Sequence, residues 1–219
     1  MIDGFVFDMD GVLFGTEQIS HRCLEITAKG FNIIDILSIA NKCVGTNAVR
    51  TREIYMEELG NEFPYDEFRD VYRGHVRQII CDEGLPIKPG AYMLLEYLKT
   101  NRYPVALATS TSKESTMSHL EESKMKEYFD AIITGDMVAN GKPAPDIYLK
   151  ACESVGINPT RSIALEDSPN GLKAATAAGM RAIMIPDCIP YSKEFSSFVS
   201  DHFNSLSDVL EALRKGELF

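Results

Sequence analysis

The sequence predicts an α/β protein: a doubly wound parallel sheet that carries a helical insertion after its first strand. Three observations predict it. Apolar runs of strand length at Gly4–Phe7, Val105–Ala108, Ala131–Ile133, Ile163–Leu165 and Ala182–Ile185 are nearly continuous rather than alternating, the pattern of strands buried on both faces. From Pro89 onward these runs alternate with helical patterns, as the crossovers of a parallel sheet require. Between the first run and Pro89 about 70 residues pass without another strand-like run, too many for a structureless loop in a compact domain.

Each element has its own signal. After the first strand, Phe68, Val71, Tyr72, Val76, Ile79 and Ile80 form an apolar stripe at helical spacing, and His21–Phe31 and Val49–Leu59 show weaker versions. Residues 15–84 are therefore read as a helical unit of their own. Residues 1–14 and 85–219 form the core, joined to that unit by two crossings near Phe14–Thr16 and Gly84–Pro89, a natural hinge. In the core, Ala91–Thr100 carries Leu94, Leu95 and Leu98, and Pro145–Val155 carries Ile147, Ala151 and Val155 before stopping at Gly156. Ser168–Ala178 opens with Ser at the N-cap and Pro169 at the first helical position, and closes at Gly179.

Composition narrows the function classes. No apolar run approaches the ~18 to 20 residues of a membrane helix, and MIDGFVFDMD lacks the basic end and long apolar stretch of a signal peptide, so no membrane contact and a cytoplasmic address are expected. Five cysteines, at 23, 43, 81, 152 and 188, show no metal-binding spacing and are expected to be reduced and mostly buried. The net charge of −10 argues against a nucleic-acid partner, which needs a basic face. A small anionic substrate needs only a local cluster of cation, metal and backbone N–H groups.

Four segments at predicted strand ends supply such a cluster. Asp8 and Asp10 in Phe7-Asp8-Met9-Asp10-Gly11 lie at the carboxyl end of a buried strand, where ligands bind in open parallel sheets. Two acids so close are tolerable if a cation shares the charge or one keeps its proton. Both arrangements suit phosphoryl transfer, one carboxylate attacking phosphorus and its neighbour protonating the leaving oxygen; a capped, charged turn would look the same. Ala108-Thr109-Ser110-Thr111-Ser112-Lys113 runs from a strand into a helix start that offers Ser110, Thr111 and N–H groups to a phosphate, although Ser112 would equally serve as an N-cap. Prolines hold Lys142 in the stiff turn Gly141-Lys142-Pro143-Ala144-Pro145, a point cation or else a solvated surface lysine. Glu166 and Asp167 in Leu165-Glu166-Asp167-Ser168 carry the oxygens Mg²⁺ prefers, or simply place acids at a helix N-terminus. Any one segment is ambiguous; four at strand ends are a poor coincidence.

At these residues the chain resembles the haloacid dehalogenase superfamily of phosphohydrolases, in the branch that includes β-phosphoglucomutase-like phosphatases. Asp8-Met9-Asp10-Gly11-Val12, Ser110, Gly141-Lys142-Pro143 and Glu166-Asp167-Ser168 follow the family's order over the whole chain. The resemblance implies a Rossmann-like core with a helical cap inserted after the first strand. It implies Asp8 as nucleophile and metal ligand and Asp10 as general acid and base with its backbone carbonyl on Mg²⁺. Ser110, with Thr111 beside it, and Lys142 would bind the transferring phosphoryl, and Asp167, with Glu166, would complete the metal site. Asp10 sides with phosphohydrolases, since the dehalogenases need no acid there and use no Mg²⁺.

The expected activity is a Mg²⁺-dependent phosphatase acting on a small phosphorylated metabolite, a sugar or polyol phosphate, as a monomer or weak dimer. The alternatives are a β-phosphoglucomutase-type mutase and a phospho-accepting signalling module without turnover. The chain departs from the family pattern at the hinge, where Gly15 replaces an acid, and from the mutase pattern in the cap: His21 falls one place late, and Val44-Gly45-Thr46-Asn47-Ala48-Val49-Arg50 lacks the lysine that precedes Gly and displaces the arginine. Thr16, Thr46, Asn47 and Arg50 are the candidates for facing substrate from the cap side.

Overall fold

The computed structural model describes residues 2–43, 46 and 48–218, which leaves Asn47 outside the described residues. Six strands form one parallel sheet in the order β3-β2-β1-β4-β5-β6: β1 Gly4–Phe7, β2 Val105–Ala108, β3 Ala131–Ile133, β4 Ser162–Glu166, β5 Arg181–Met184 and β6 Asp201–His202. Phe5 pairs in register with Val105 on one side and Ile163 on the other, so the strand order reverses at β1. In a doubly wound sheet the crevice beyond the carboxyl ends of such a reversal is where ligands bind. Five of these strands are those the apolar runs predict. The sixth, at the sheet edge, is two polar, partly exposed residues with no apolar run to announce it.

Both faces of β1, β2 and β4 are covered, which is why their residues do not alternate in polarity. Phe5, Phe7, Val105, Leu107, Ile163 and Leu165 point one way, onto leucines of α5 (Ala91–Thr100) and the C-terminal helix Leu206–Lys215. Val6, Ala106, Ala108 and Ala164 point the other way, onto Ile147 and Tyr148 of Asp146–Val155 and Leu172 and Ala174 of Pro169–Ala177. Each of the larger apolar side chains so buried contributes roughly 1.5–3 kcal/mol. Helix ends follow the residues read for them: Ser168 accepts from the Gly171 N–H with Pro169 at the first position, and Gly156 closes its helix in the left-handed region at φ 69°.

Among the described residues four helices lie between β1 and α5: α1 Thr16–Gly30, α2 Ile36–Cys43, α3 Ala48–Leu59 and α4 Tyr65–Glu83. They bury a cluster of their own around Leu24, Ile36, Ile39, Ile54, Tyr55 and Phe68. The eight-residue α2 has too few turns to stand out as a period in the sequence. The chain leaves and re-enters the sheet side by side, since Phe14 bridges antiparallel to Ile87, Gly15 N–H donates to Pro86 O and Lys88 N–H donates to Leu13 O. Among the described residues no helix is long and apolar enough to cross a membrane. All five cysteines are free thiols, but only Cys23 and Cys152 are buried; Cys81 and Cys188 are exposed, against the expectation of mostly buried thiols.

Candidate active site

β1, β2 and β4 end at one edge, and the loops beyond them bring Asp8, Asp10, Ser110, Thr111 and Asp167 onto the wall of one cavity of about 1130 Å³. Thr16 and Thr46 line it from the side of α1–α4, and Lys142 reaches it from the Pro-rich turn before Asp146–Val155. Arg50 does not. Expected to face substrate, it pairs instead with Glu53 at 3.0 Å and Glu57 at 2.9 Å, acids one and two turns along its own helix.

Lys142 is 4% exposed and bridges two carboxylates, with Nζ donating to Asp8 Oδ1 at 2.6 Å and to Glu166 Oε1 at 2.5 Å. It is no solvated surface lysine. Burial disfavours its charge, but Asp8 and Glu166 outweigh burial and hold it protonated.

Glu166 is fully buried and does not line the cavity. Its Oε1 accepts from Lys142 and from the Tyr148 hydroxyl at 2.8 Å, while Oε2 accepts from the Asp167 N–H, the Ser168 N–H and the Ser168 hydroxyl, each at 3.0 Å. Five donors on two oxygens leave little lone-pair capacity for a metal. The carboxylate instead pins Lys142 and fixes the turn that presents Asp167. Gly171 makes room for it: a Cβ there would meet Glu166 Oε1 at 1.7 Å. Gly11, at φ 81°, does the same for Asp167, whose Oδ2 would lie 2.1 Å from an added Cβ.

Carboxylate oxygens of Asp8, Glu166 and Asp167 come within 4.8 Å of one another. Burial pushes both the Asp8 and Asp167 carboxyls well above the usual carboxylate range, and the neighbouring acids push further, with Lys142 pulling the other way. Three buried acids against one lysine leave an excess of negative charge that a divalent cation bound by oxygen would offset. Asp8 and Asp167 line the cavity and suit such a cation; Glu166 stands behind them.

Asp10 is held differently. Thr16 Oγ1 donates to its Oδ1 at 2.5 Å and Thr111 Oγ1 donates to its Oδ2 at 2.7 Å, so Thr111, expected to hold phosphate, spends its hydroxyl on Asp10. Thr46 likewise turns its hydroxyl to the Cys43 carbonyl at 2.7 Å and the Thr51 hydroxyl at 2.9 Å. Ser112 occupies the N-cap position of α6 (Lys113–Glu122) without making a capping bond.

Several cavity residues escaped the sequence reading. Glu17, beside Thr16, is pushed up to about 7 by burial and then by the charges of Asp10 and Asp187. Tyr72 donates to or accepts from Ser20 at 2.9 Å and is pushed up to about 12 by burial. Arg69, Arg73 and Arg77 of α4 also line the cavity; their four-residue spacing is visible in the sequence beside the apolar stripe.

Comparisons with known proteins point the same way. The sequence profile described as "Haloacid dehalogenase-like hydrolase" matches residues 5–185. The chain is 31% identical over 182 residues to the "Phosphorylated carbohydrates phosphatase" of Thermotoga maritima, covering 83% of this chain and 84% of that protein. It is also 31% identical over 192 residues to "(DL)-glycerol-3-phosphatase 2" of Arabidopsis thaliana, covering 83% and 78%. Among solved structures, CbbY from Rhodobacter sphaeroides in complex with phosphate superposes with a TM-score of 0.82 at 27% identity, covering 95% of this chain and 96% of that one.

Proposed function

The chain belongs to the haloacid dehalogenase-like hydrolase family, and from that membership we propose that it is a Mg²⁺-dependent phosphatase that hydrolyses a small phosphorylated metabolite through an aspartyl-phosphate on Asp8. The observation that carries this reading is Asp8 held by Lys142 at 2.6 Å on the wall of a cavity that Asp10 also lines. The named relatives act on phosphorylated carbohydrates and on glycerol 3-phosphate, which supports a sugar or polyol phosphate as the substrate class.

Asp8, Asp167 and the backbone carbonyl of Asp10 would hold the Mg²⁺, which when bound supplies positive charge for the phosphoryl oxygens and for Asp8. Lys142, with Ser110, binds the transferring phosphoryl group and opposes the upward push of burial on the Asp8 carboxyl. Asp8 attacks phosphorus; the ester P–O bond breaks as Asp10 gives its proton to the leaving oxygen. Asp10, now a carboxylate, takes a proton from water as that water attacks the aspartyl-phosphate, which frees phosphate and restores Asp8. Residues 15–84 act as a cap over the core formed by 1–14 and 85–219, hinged at the paired crossings, and exclude bulk water during the reaction.

The mutase reading loses ground on Arg50, the one cation kept from the mutase's second-phosphate loop, because its ion pairs with Glu53 and Glu57 place it off the cavity. The decisive experiment is Asp8→Asn with p-nitrophenyl phosphate and Mg²⁺. Phosphate release is expected to vanish, and undiminished turnover would sink the assignment of the nucleophile.

A further inference from the structure

α4 carries Arg69, Arg73 and Arg77 at four-residue intervals, and all three line the cavity into which Asp8 and Asp10 open. Steps of four residues advance a helix by about 400°, so the three side chains share one stripe, about 12 Å from first to last. Among the described residues none of the three forms an ion pair. The other arginines of α1–α4 all do: Arg22 with Glu83, Arg50 with Glu53 and Glu57, and Arg52 with Asp66. Asp66, the acid that also feels Arg69, is taken on both oxygens by Arg52, at 2.6 and 3.0 Å.

Like charges at this spacing repel and weaken a helix. In a chain of net charge −10, carboxylates are plentiful, yet three guanidiniums stay unpaired along one cleft. The same cavity is also lined by the acids Asp8, Asp10, Glu17 and Asp167. Three cations are collected on α4, an element separate from the Pro-rich turn that carries Lys142, in a concave space that concentrates their field.

We propose that Arg69, Arg73 and Arg77 form a second anion site, which selects phosphate esters carrying another anionic group, a phosphate or a carboxylate, at the end remote from the transferred phosphoryl. The inference rests on the phosphatase reading for the first group only. The ladder lies on α4, not in the segment 44–50 where the resemblance puts the mutase's cations. Guanidinium forks bind phosphate and carboxylate alike in bidentate fashion, so both remain within one ligand class.

Three ligands of equal carbon length separate the cases: glucose 6-phosphate with a neutral far end, 6-phosphogluconate with a carboxylate, and glucose 1,6-bisphosphate with a second phosphate. Their affinities are measured by calorimetry on the Asp8→Asn protein with Mg²⁺, so that turnover does not intrude. One or both doubly anionic ligands should bind on the order of tenfold tighter or more than glucose 6-phosphate, and the arm that gains identifies the far group. Adding R73Q should erase most of that preference, R73K should keep part of it, and raising the salt should shrink it. Equal affinities for all three ligands, a drop in R73Q common to all three, or no binding at all overturns the proposal. Wild-type turnover of p-nitrophenyl phosphate is scored separately: its absence sinks the phosphatase reading and leaves the binding preference standing.

Discussion

Thr111 and Asp10 lie 101 positions apart in the chain, and the Thr111 hydroxyl donates to Asp10 Oδ2 across 2.7 Å. With Thr16 donating to Oδ1, the proposed acid and base is clamped by one hydroxyl from the end of β2 and one from the first turn of α1. Its orientation is therefore tied to the hinge.

Thr111→Val removes one of the two clamps and preserves the shape. Since a hydrogen bond to a charged group is worth about 1.5–3 kcal/mol and Thr16 remains, kcat should fall on the order of tenfold. A group that aligns a general acid matters most when the leaving group is poor. The loss should accordingly be larger for an alkyl phosphate than for p-nitrophenyl phosphate, with KM changed little. Equal losses on both esters would remove Thr111 from the alignment of Asp10.

Lys142→Met leaves Asp8 and Glu166 buried without their shared cation. Breaking a buried pair by removing one partner costs about 3–5 kcal/mol, because the remaining charge has no compensation. Urea unfolding in EDTA should show that loss. Mg²⁺ should recover part of it, since an ion that binds only the folded state at 100 times its Kd adds about 2.7 kcal/mol. An unchanged urea midpoint would mean that the bridge is energetically idle.

Glu17 gives a pH signature. Its folded value near 7 lies above the ordinary 4.5, so the folded state holds the proton more tightly than the unfolded state. Stability from this group is fully present below the ordinary value, falls as pH rises from there, and is lost once pH passes about 7. Glu17→Gln removes the dependence. In EDTA the variant should match wild type at about pH 4.5 and exceed it in urea midpoint at about pH 8. A difference that is flat across that window contradicts burial beside Asp10 and Asp187 as the cause.

Much of the molecule was legible because its signals are local. Four-residue apolar runs with no polar alternation mark strands covered on both faces, and Ser168-Pro169 and Gly156 mark helix ends through backbone geometry that only neighbouring residues decide. α2 and β6 were illegible for the same reason, since α2 is too short for a period to show and the β6 edge pair is polar; the C-terminal helix Leu206–Lys215 is a further element absent from the sequence reading. Spacing and order also identified Asp8, Asp10, Ser110, Lys142 and Asp167 as residues of one cavity.

What only tertiary structure decided is which partner each polar group takes. Thr111 sits in the segment read as phosphate-binding, yet its hydroxyl reaches Asp10. Glu166 sits in the segment read as metal-binding, yet five donors claim its oxygens. Arg50 was given to the substrate and belongs to Glu53 and Glu57, whereas Arg69, Arg73 and Arg77 were passed over and line the cavity. Apolar patterning follows from the chain's own period, so the sequence alone determined five of the sheet's six strands and the carboxylates at their ends. Bonds such as Thr111 to Asp10 and Lys142 to Asp8 depend on groups 101 and 134 positions apart meeting within about 3 Å, and only the folded packing sets those distances.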